Sequence, residues 1–252
     1  EITNSLIENN LMIGNSPRQI AAPIQLKGVS GITVRANTIV GDLPSGAYGF
    51  RIGTEGTNPI VKDIFVYNNI WSDHTGTMGS IFVTNYGLVD TASIALNNNL
   101  FWNKGNSLPN VGTVTPAKDV NRVVQNPFLN ENHASIVFPV WDAATGKFIS
   151  GSTGIRQEFE RLVNLYGVPS TGSAAVDAAD PVKMPADDIL GNARAGKGSA
   201  PDIGAYETGQ QQVAVCGNNI KEGTEQCDGT DFGGTTCQSL GYISGTLSCT
   251  AS

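Results

Sequence analysis

Apolar and polar residues alternate through the first hundred positions, and the alternation breaks at the same kind of place each time. The stretches Ile32-Thr33-Val34, Ile64-Phe65-Val66 and Ile94-Ala95-Leu96 keep the period of two that belongs to a strand. Each runs into an asparagine followed by an apolar pair, as in Asn9-Asn10-Leu11-Met12, Asn68-Asn69-Ile70-Trp71 and Asn98-Asn99-Leu100-Phe101, with Ala36-Asn37-Thr38-Ile39 as a variant. Asn10, Asn37, Asn69 and Asn99 lie 27, 32 and 30 residues apart, the step of a stacked array. A further strand falls within each repeat, at Pro23-Ile24-Gln25-Leu26, Tyr48-Gly49-Phe50-Arg51-Ile52 and Ser80-Ile81-Phe82-Val83, separated by Gly, Asn, Asp and Ser where the chain must turn. The pattern predicts an all-β solenoid of parallel strands over residues 1–110.

Stacking explains why asparagine recurs. Equivalent residues of successive coils lie about 4.8 Å apart, close enough for amide side chains to hydrogen-bond in a ladder. The other reading makes them loop residues in left-handed backbone conformations. Their constant phase against the following apolar pair favours the ladder. Each coil can bury its apolar positions only against its neighbours, so an end needs a cover.

Residues 111–209 are expected to form a terminal coil and that cap. Within them Ile155, Phe159, Leu162, Val163 and Tyr166 recur at helical spacing, after Ser152 or Thr153 as an N-cap and before Gly167, which predicts one α-helix with one apolar face. Asp188, Arg194, Asp202 and Glu207 are expected to form an ionic and hydrogen-bonded lock, the planar fork of the arginine bridging carboxylates. After the polar spacer Gln210-Gln211-Gln212, residues 213–252 hold all four cysteines, Cys216, Cys227, Cys237 and Cys249. So short a piece buries little core, and disulfides are the expected remedy, in an oxidising compartment. Three pairings are open; the local one joins Cys216 to Cys227 and Cys237 to Cys249. The spacings of 11, 10 and 12 residues contain no C-x-x-C and no histidine is near, which argues against zinc.

The repeated turns resemble those of right-handed parallel β-helices of the pectate-lyase-like superfamily, over residues 1–110. Gly172-Ser173-Ala174-Ala175-Val176-Asp177, Asp188-Ile189-Leu190-Gly191-Asn192-Ala193-Arg194 and Asp202-Ile203-Gly204-Ala205-Tyr206-Glu207 look like the ending of many secreted β-helix proteins, similar to a choice-of-anchor Q domain. Cys216-Gly217-Asn218-Asn219 with Glu222, Glu225 and Cys227-Asp228-Gly229 resembles a Cys-rich repeat of secreted bacterial proteins. These resemblances imply a right-handed parallel β-helix with a cap containing one α-helix and a small disulfide-rich module, secreted or on the cell surface. They also imply that the Cys-rich module, and the chain, continue beyond this sequence.

Charge narrows the partners. The chain carries 15% charged residues and a net charge of −7 over 252 residues, with no basic segment, which argues against nucleic acid. No apolar run approaches the roughly 20 residues of a membrane helix. None of the 23 asparagines starts an N-x-[ST] acceptor, which fits a bacterial or archaeal source. Polysaccharide or cell-surface glycan, and self-assembly, are the partner classes that remain.

The superfamily implies polysaccharide lyases and related enzymes among its members. A lyase acting on uronic acids needs a cation, often Ca²⁺, and a Lys or Arg base. Lys27 and Arg51 are the best basic pair, with Asp42 and Asp73 in equivalent turns of the second and third coils. A hydrolase would need two carboxylates roughly 5 to 9 Å apart, for which Asp42 and Asp73 are also the candidates. Tyr48, Tyr67, Trp71 and Trp102 are candidate sugar platforms, with core filling as the commoner fate of such residues. Glu225, Asp228 and Asp231 are hard oxygen ligands close together, the candidate Ca²⁺ site, although a solvated acidic turn also explains them. The expected function is structural or adhesive, with glycan contact; the alternative is a polysaccharide-active enzyme whose catalytic coils lie partly upstream.

Overall fold

The computed structural model describes residues 2–14, 22–41, 48–54, 56–170, 172–209, 226–232 and 235–249. The chain divides into two compact units, Glu1–Ala134 with Leu165–Gly209, and Ser135–Asn164 with Gln210–Ser252, so the boundary cuts across the stretch 111–209.

Among the described residues the first unit holds eleven strands in three parallel sheets. They are β1 (Ile2–Glu8), β2 (Leu11–Ile13), β3 (Ile24–Lys27), β4 (Val29–Arg35), β5 (Thr38–Gly41), β6 (Tyr48–Gly53), β7 (Lys62–Tyr67), β8 (Ile70–Asp73), β9 (Ser80–Tyr86), β10 (Ile94–Asn97) and β11 (Leu100–Asn103). The sheets run β1-β4-β7-β10, β2-β5-β8-β11 and β3-β6-β9. In each repeat the chain leaves the first sheet at the asparagine turn, enters the second, and passes through the third before it returns to the first one strand further on. Register follows the repeats: Val34 pairs with Ile7 and Val66, and Ile70 with Thr38 and Leu100.

One apolar cluster takes side chains from all three sheets, among them Ile32, Val34, Ile64 and Val66 of the first, Ile39, Trp71 and Phe101 of the second, and Phe50 and Phe82 of the third. Period two explains it, because β4 and β7 bury alternate residues. Phe50, Trp71, Phe82 and Phe101 meet edge to face, with centroids 5.7 to 6.2 Å apart. Each such fully buried side chain contributes about 1.5–3 kcal/mol.

The second sheet departs from alternation: β5 and β8 are buried at every residue. Their outward residues Val40 and Ile70 join Leu100 in a separate cluster with Ala175, Ala179, Met184 and Ile203. Residues 173–207 therefore lie along the outer face of this sheet, where an apolar strip would otherwise face water. This corrects the expectation that they close the end of the stack. The stretch after β11 has that place instead: Val123 pairs with Leu100, and Val114 joins the inner cluster.

In the second unit, β12 (Trp141–Asp142) and β13 (Lys147–Phe148) form a hairpin. The helix α1 spans Ile155–Tyr166, all but its last two residues in this unit, its start held by Gln157, whose Oε1 accepts from the Thr153 backbone and hydroxyl at 2.7 Å. Ile155 is 81% exposed rather than on the buried face, while Glu158 is buried, paired with Arg161 at 2.6 Å and bonded by Ser150. Position one of a helix has no preceding turn to pack with, so the apolar spacing overstated the face. Among the described residues no helix is long and apolar enough to cross a membrane.

Candidate functional site

The asparagine turns carry the most developed chemistry of the first unit. The second asparagine of each doublet points inward. The Nδ2 of Asn10, Asn37 and Asn69 donates to the Oδ1 of Asn37, Asn69 and Asn99 respectively, each at 2.9 Å. The same acceptors take the backbone N–H groups of Asn10, Asn37 and Asn69 at 3.0 to 3.1 Å. The remaining amide hydrogens go to backbone carbonyls, as from Asn69 to Val34 and from Asn99 to Val66. Asn37, Asn69 and Asn99 are 0% exposed, so these bonds satisfy groups that water cannot reach.

The first residue of each doublet has the other role. Asn9, Ala36, Asn68 and Asn98 have φ of 53°, 51°, 55° and 53°, the left-handed region. Each turn thus combines an inward ladder residue with a neighbour of opposite orientation, and the two readings of the asparagines describe the two members of the pair. The outward amides grip residues 173–207. Asn98 Nδ2 donates to the Ala178 carbonyl at 3.1 Å. Asn68 donates to the Asp180 carbonyl at 3.0 Å and accepts the Asp180 N–H at 2.9 Å. Asn9 donates to the Asp187 carbonyl at 2.8 Å. At Ala36 the neighbouring Arg35 reaches the Lys183 carbonyl instead. The segment is a strap that crosses the coils in reverse order, over roughly 14 Å at 4.8 Å per rung.

Arg194 fastens its far end. The guanidinium is 3% exposed and donates to Glu207 Oε2 (3.1 Å), to Asn9 Oδ1 (3.1 Å) and to the carbonyls of Asp187, Asp202, Gly204 and Ala205. Asp188 and Asp202, also buried, accept backbone N–H groups: Leu190, Asn192 and Glu207 for Asp188, and Asp177 and Thr208 for Asp202. The fork therefore pairs with Glu207 alone and otherwise holds carbonyls, while the two aspartates shape the loops around it. Burial pushes the Glu207 carboxyl up, and the charge of Asp202 adds to this against the pull of Arg194. Burial likewise lowers the Arg194 guanidinium, against the neighbouring carboxylates. Glu207 Oε1 has no hydrogen-bond partner. Gly204 lets the loop sit close: its φ is +103°, and a Cβ there would lie 2.7 Å from Ile70 Cδ1 and 2.8 Å from Thr38 Oγ1.

The candidate catalytic residues are divided between sheets. Lys27 and Arg51 lie on the outer face of the third sheet, Lys27 opposite Gly53 and Arg51 opposite Gln25. Asp73 ends β8 in the second sheet, 0% exposed, its Oδ1 accepting from the Thr75 N–H and hydroxyl. The structure does not bring Asp73 to the basic pair. Asp42 lies outside the described residues.

Trp71 is fully buried in the inner cluster, which corrects its expectation as a sugar platform: its position on β8 faces inward, against Phe50 and Phe82. Tyr67 is half-buried beneath the Lys183 ammonium, 5.4 Å from its ring centroid, and burial followed by the Asp180 charge raises its phenol. Trp102 is partly buried against the outer cluster. The side chain of Tyr48 lies outside the described residues.

In the second unit the disulfide joins Cys227 to Cys249, which corrects the local pairing of neighbours; Cys237 is unpaired, and Cys216 lies outside the described residues. Asp228 and Asp231 exchange backbone hydrogen bonds of 2.8 Å across Gly229-Thr230. Glu225 lies outside the described residues, and among those described no three His, Cys, Asp or Glu side chains form a metal-binding group.

Two features were missed in the sequence. Asp119, 0% exposed, ends the ladder: its Oδ2 accepts the Asn99 N–H and Nδ2 at 2.8 Å, and its Oδ1 the N–H groups of Asn98 and Asn121 at 3.1 Å. It comes only 20 residues after Asn99, off the repeat. His74 and His133 also meet, centroids 4.6 Å apart, with Tyr166 beside His133. No protein-family model matches the chain, and no curated protein matches it in sequence.

Proposed function

We propose that the chain is a secreted or cell-surface protein with a structural and adhesive role, in which the three sheets are the faces of a right-handed parallel β-helix of the pectate-lyase-like kind that contacts glycans along its flank. The observation that carries this reading is the strap. A segment distant in sequence grips the coils of Asn9, Asn68 and Asn98 through side-chain amides and ends in the buried Arg194–Glu207 pair. A stack fastened along its height is suited to resist shear and fraying, which a display element needs more than a mobile catalytic cleft does. The likeness of residues 172–207 to a choice-of-anchor Q ending agrees with this. The Cys227–Cys249 disulfide supports an oxidising, extracellular setting.

The test is retention of the purified chain on insoluble cell-wall polysaccharides and on an oligosaccharide array, with a parallel incubation on uronate polymers that follows new double-bond absorbance. Retention without turnover is the expected result. Unsaturated products would replace the adhesive reading with a polysaccharide lyase, and no retention on any glycan would remove the glycan contact.

A further inference from the structure

Asn126, Phe128, Leu129, Glu131 and Ser170 line an open cleft of about 460 Å³ in the first unit. Its volume is within the usual range for small-ligand sites. Phe128 sets its character. With φ of 50° it is a bulky residue in the left-handed region, a conformation that persists only where the surroundings impose it. Two contacts impose it here: the Phe128 N–H donates to Asn126 Oδ1 at 2.7 Å, and its carbonyl accepts the Ser170 N–H at 3.2 Å. The result separates neighbours, since Leu129 enters the outer cluster while the Phe128 side chain turns to solvent, 47% exposed. Phe50, Phe82 and Phe101 are all buried. Asn126, Glu131 and Ser170 line the same cleft as this ring and bring an amide, a carboxylate and a hydroxyl to its composition.

We infer that this cleft is a binding subsite for a neutral sugar residue. An exposed aromatic ring offers its face to the C–H side of a pyranose, and an amide donor, a carboxylate acceptor and a hydroxyl suit ring hydroxyls. The described lining holds a carboxylate and no Lys or Arg, which disfavours a uronate. The inference rests on the glycan-contact reading and gives it a location and a substrate class.

Phe128→Gly tests it. Glycine adopts the left-handed conformation without steric strain, which offsets its greater freedom in the unfolded chain, so this variant removes the ring with little change in the melting temperature. Titration calorimetry with neutral hexose oligosaccharides (cellohexaose and mannohexaose) and with oligogalacturonate serves as the readout. Wild type is expected to bind a neutral probe more tightly than the uronate, Phe128→Gly about tenfold or more weakly, and Phe128→Trp at least as well as wild type. Glu131→Gln should weaken neutral binding and leave the melting temperature unchanged. Equal binding by wild type and Phe128→Gly, or a preference for oligogalacturonate, overturns the subsite while the adhesive role stands. A wild-type chain retained by no glycan in the array removes both.

Discussion

Asn99 donates its side-chain N–H to Asp119 at 2.8 Å and receives that of Asn69 on its own Oδ1. The ladder therefore has a direction, from Asn10 through Asn37, Asn69 and Asn99, and it ends on a group that only accepts. Both Asp119 oxygens take two N–H donors, so an amide cannot replace the carboxylate without turning an NH₂ toward two of them. Asp119→Asn, though isosteric, should destabilise the first unit by about 2–4 kcal/mol, because buried donors lose their acceptor. Asn69→Asp should cost at least as much, since Asn69 must donate to Val34 and Asn99. Urea unfolding of both variants checks this. Equal stability of Asp119→Asn and wild type would show that the charge at this end is dispensable.

The strap makes a separable prediction. Asn68→Ala removes two hydrogen bonds to Asp180 and leaves the backbone at a φ that Ala36 already adopts one coil earlier. Its cost should be about 1–3 kcal/mol, nearly all from lost bonding. Arg194→Lys should cost more, because one ammonium cannot serve the carboxylate, Asn9 and four carbonyls together. In both variants limited proteolysis is expected to cut within residues 178–200 before the coils lose protection in hydrogen exchange. Simultaneous loss of both would mean that the strap and the coils melt as one.

What could be read in advance was what repeats locally. Asn10, Asn37, Asn69 and Asn99 announced themselves because a ladder residue must return once per coil in phase with the core. Asn9, Asn68 and Asn98 looked like the same signal, since their distinct role needs a partner more than a hundred residues away in the cases of Asn68 and Asn9. Trp71 and Asp73 were misjudged for a related reason. On an isolated coil the inner face of β8 would be open, and only side chains from the other sheets, such as Phe50 and Phe82 at Trp71, close it. Asp119 carries no repeat spacing at all, so its place at the end of the ladder appears only in three dimensions.

Glu207 predicts a pH dependence of one sign. Burial foremost, with the Asp202 charge, raises its carboxyl above the ordinary range. The folded chain then holds a proton that the unfolded chain has released. The stability from this group is complete below the ordinary carboxyl pKa of about 4.3 and declines as pH rises through the raised value. Glu207→Gln keeps a partner for Arg194 and cannot titrate. The unfolding free energy of wild type relative to this variant should therefore fall from acid toward neutral pH. A flat difference would mean that Arg194 holds Glu207 ionised throughout.

His133 predicts the opposite sign in a higher window. Its ring meets His74 at 4.6 Å and Tyr166 at 5.6 Å. Burial first, and then the His74 charge, lower its pKa against the pull of the Asn130 backbone. The unfolded chain therefore takes up a proton before the folded one. The stability due to His133 is present above the ordinary imidazole value of about 6.5 and is lost as pH falls through the lowered one. His74→Phe removes the charge and keeps the burial, so His133 should titrate closer to the ordinary value without reaching it. Proton NMR of the ring Cε1–H signal measures this shift, and thermal midpoints across the same range measure the stability. His133→Phe should abolish the acid-side loss in this window. A His133 titration unmoved by His74→Phe would show that burial alone sets it and that the contact between the two rings carries no electrostatic coupling.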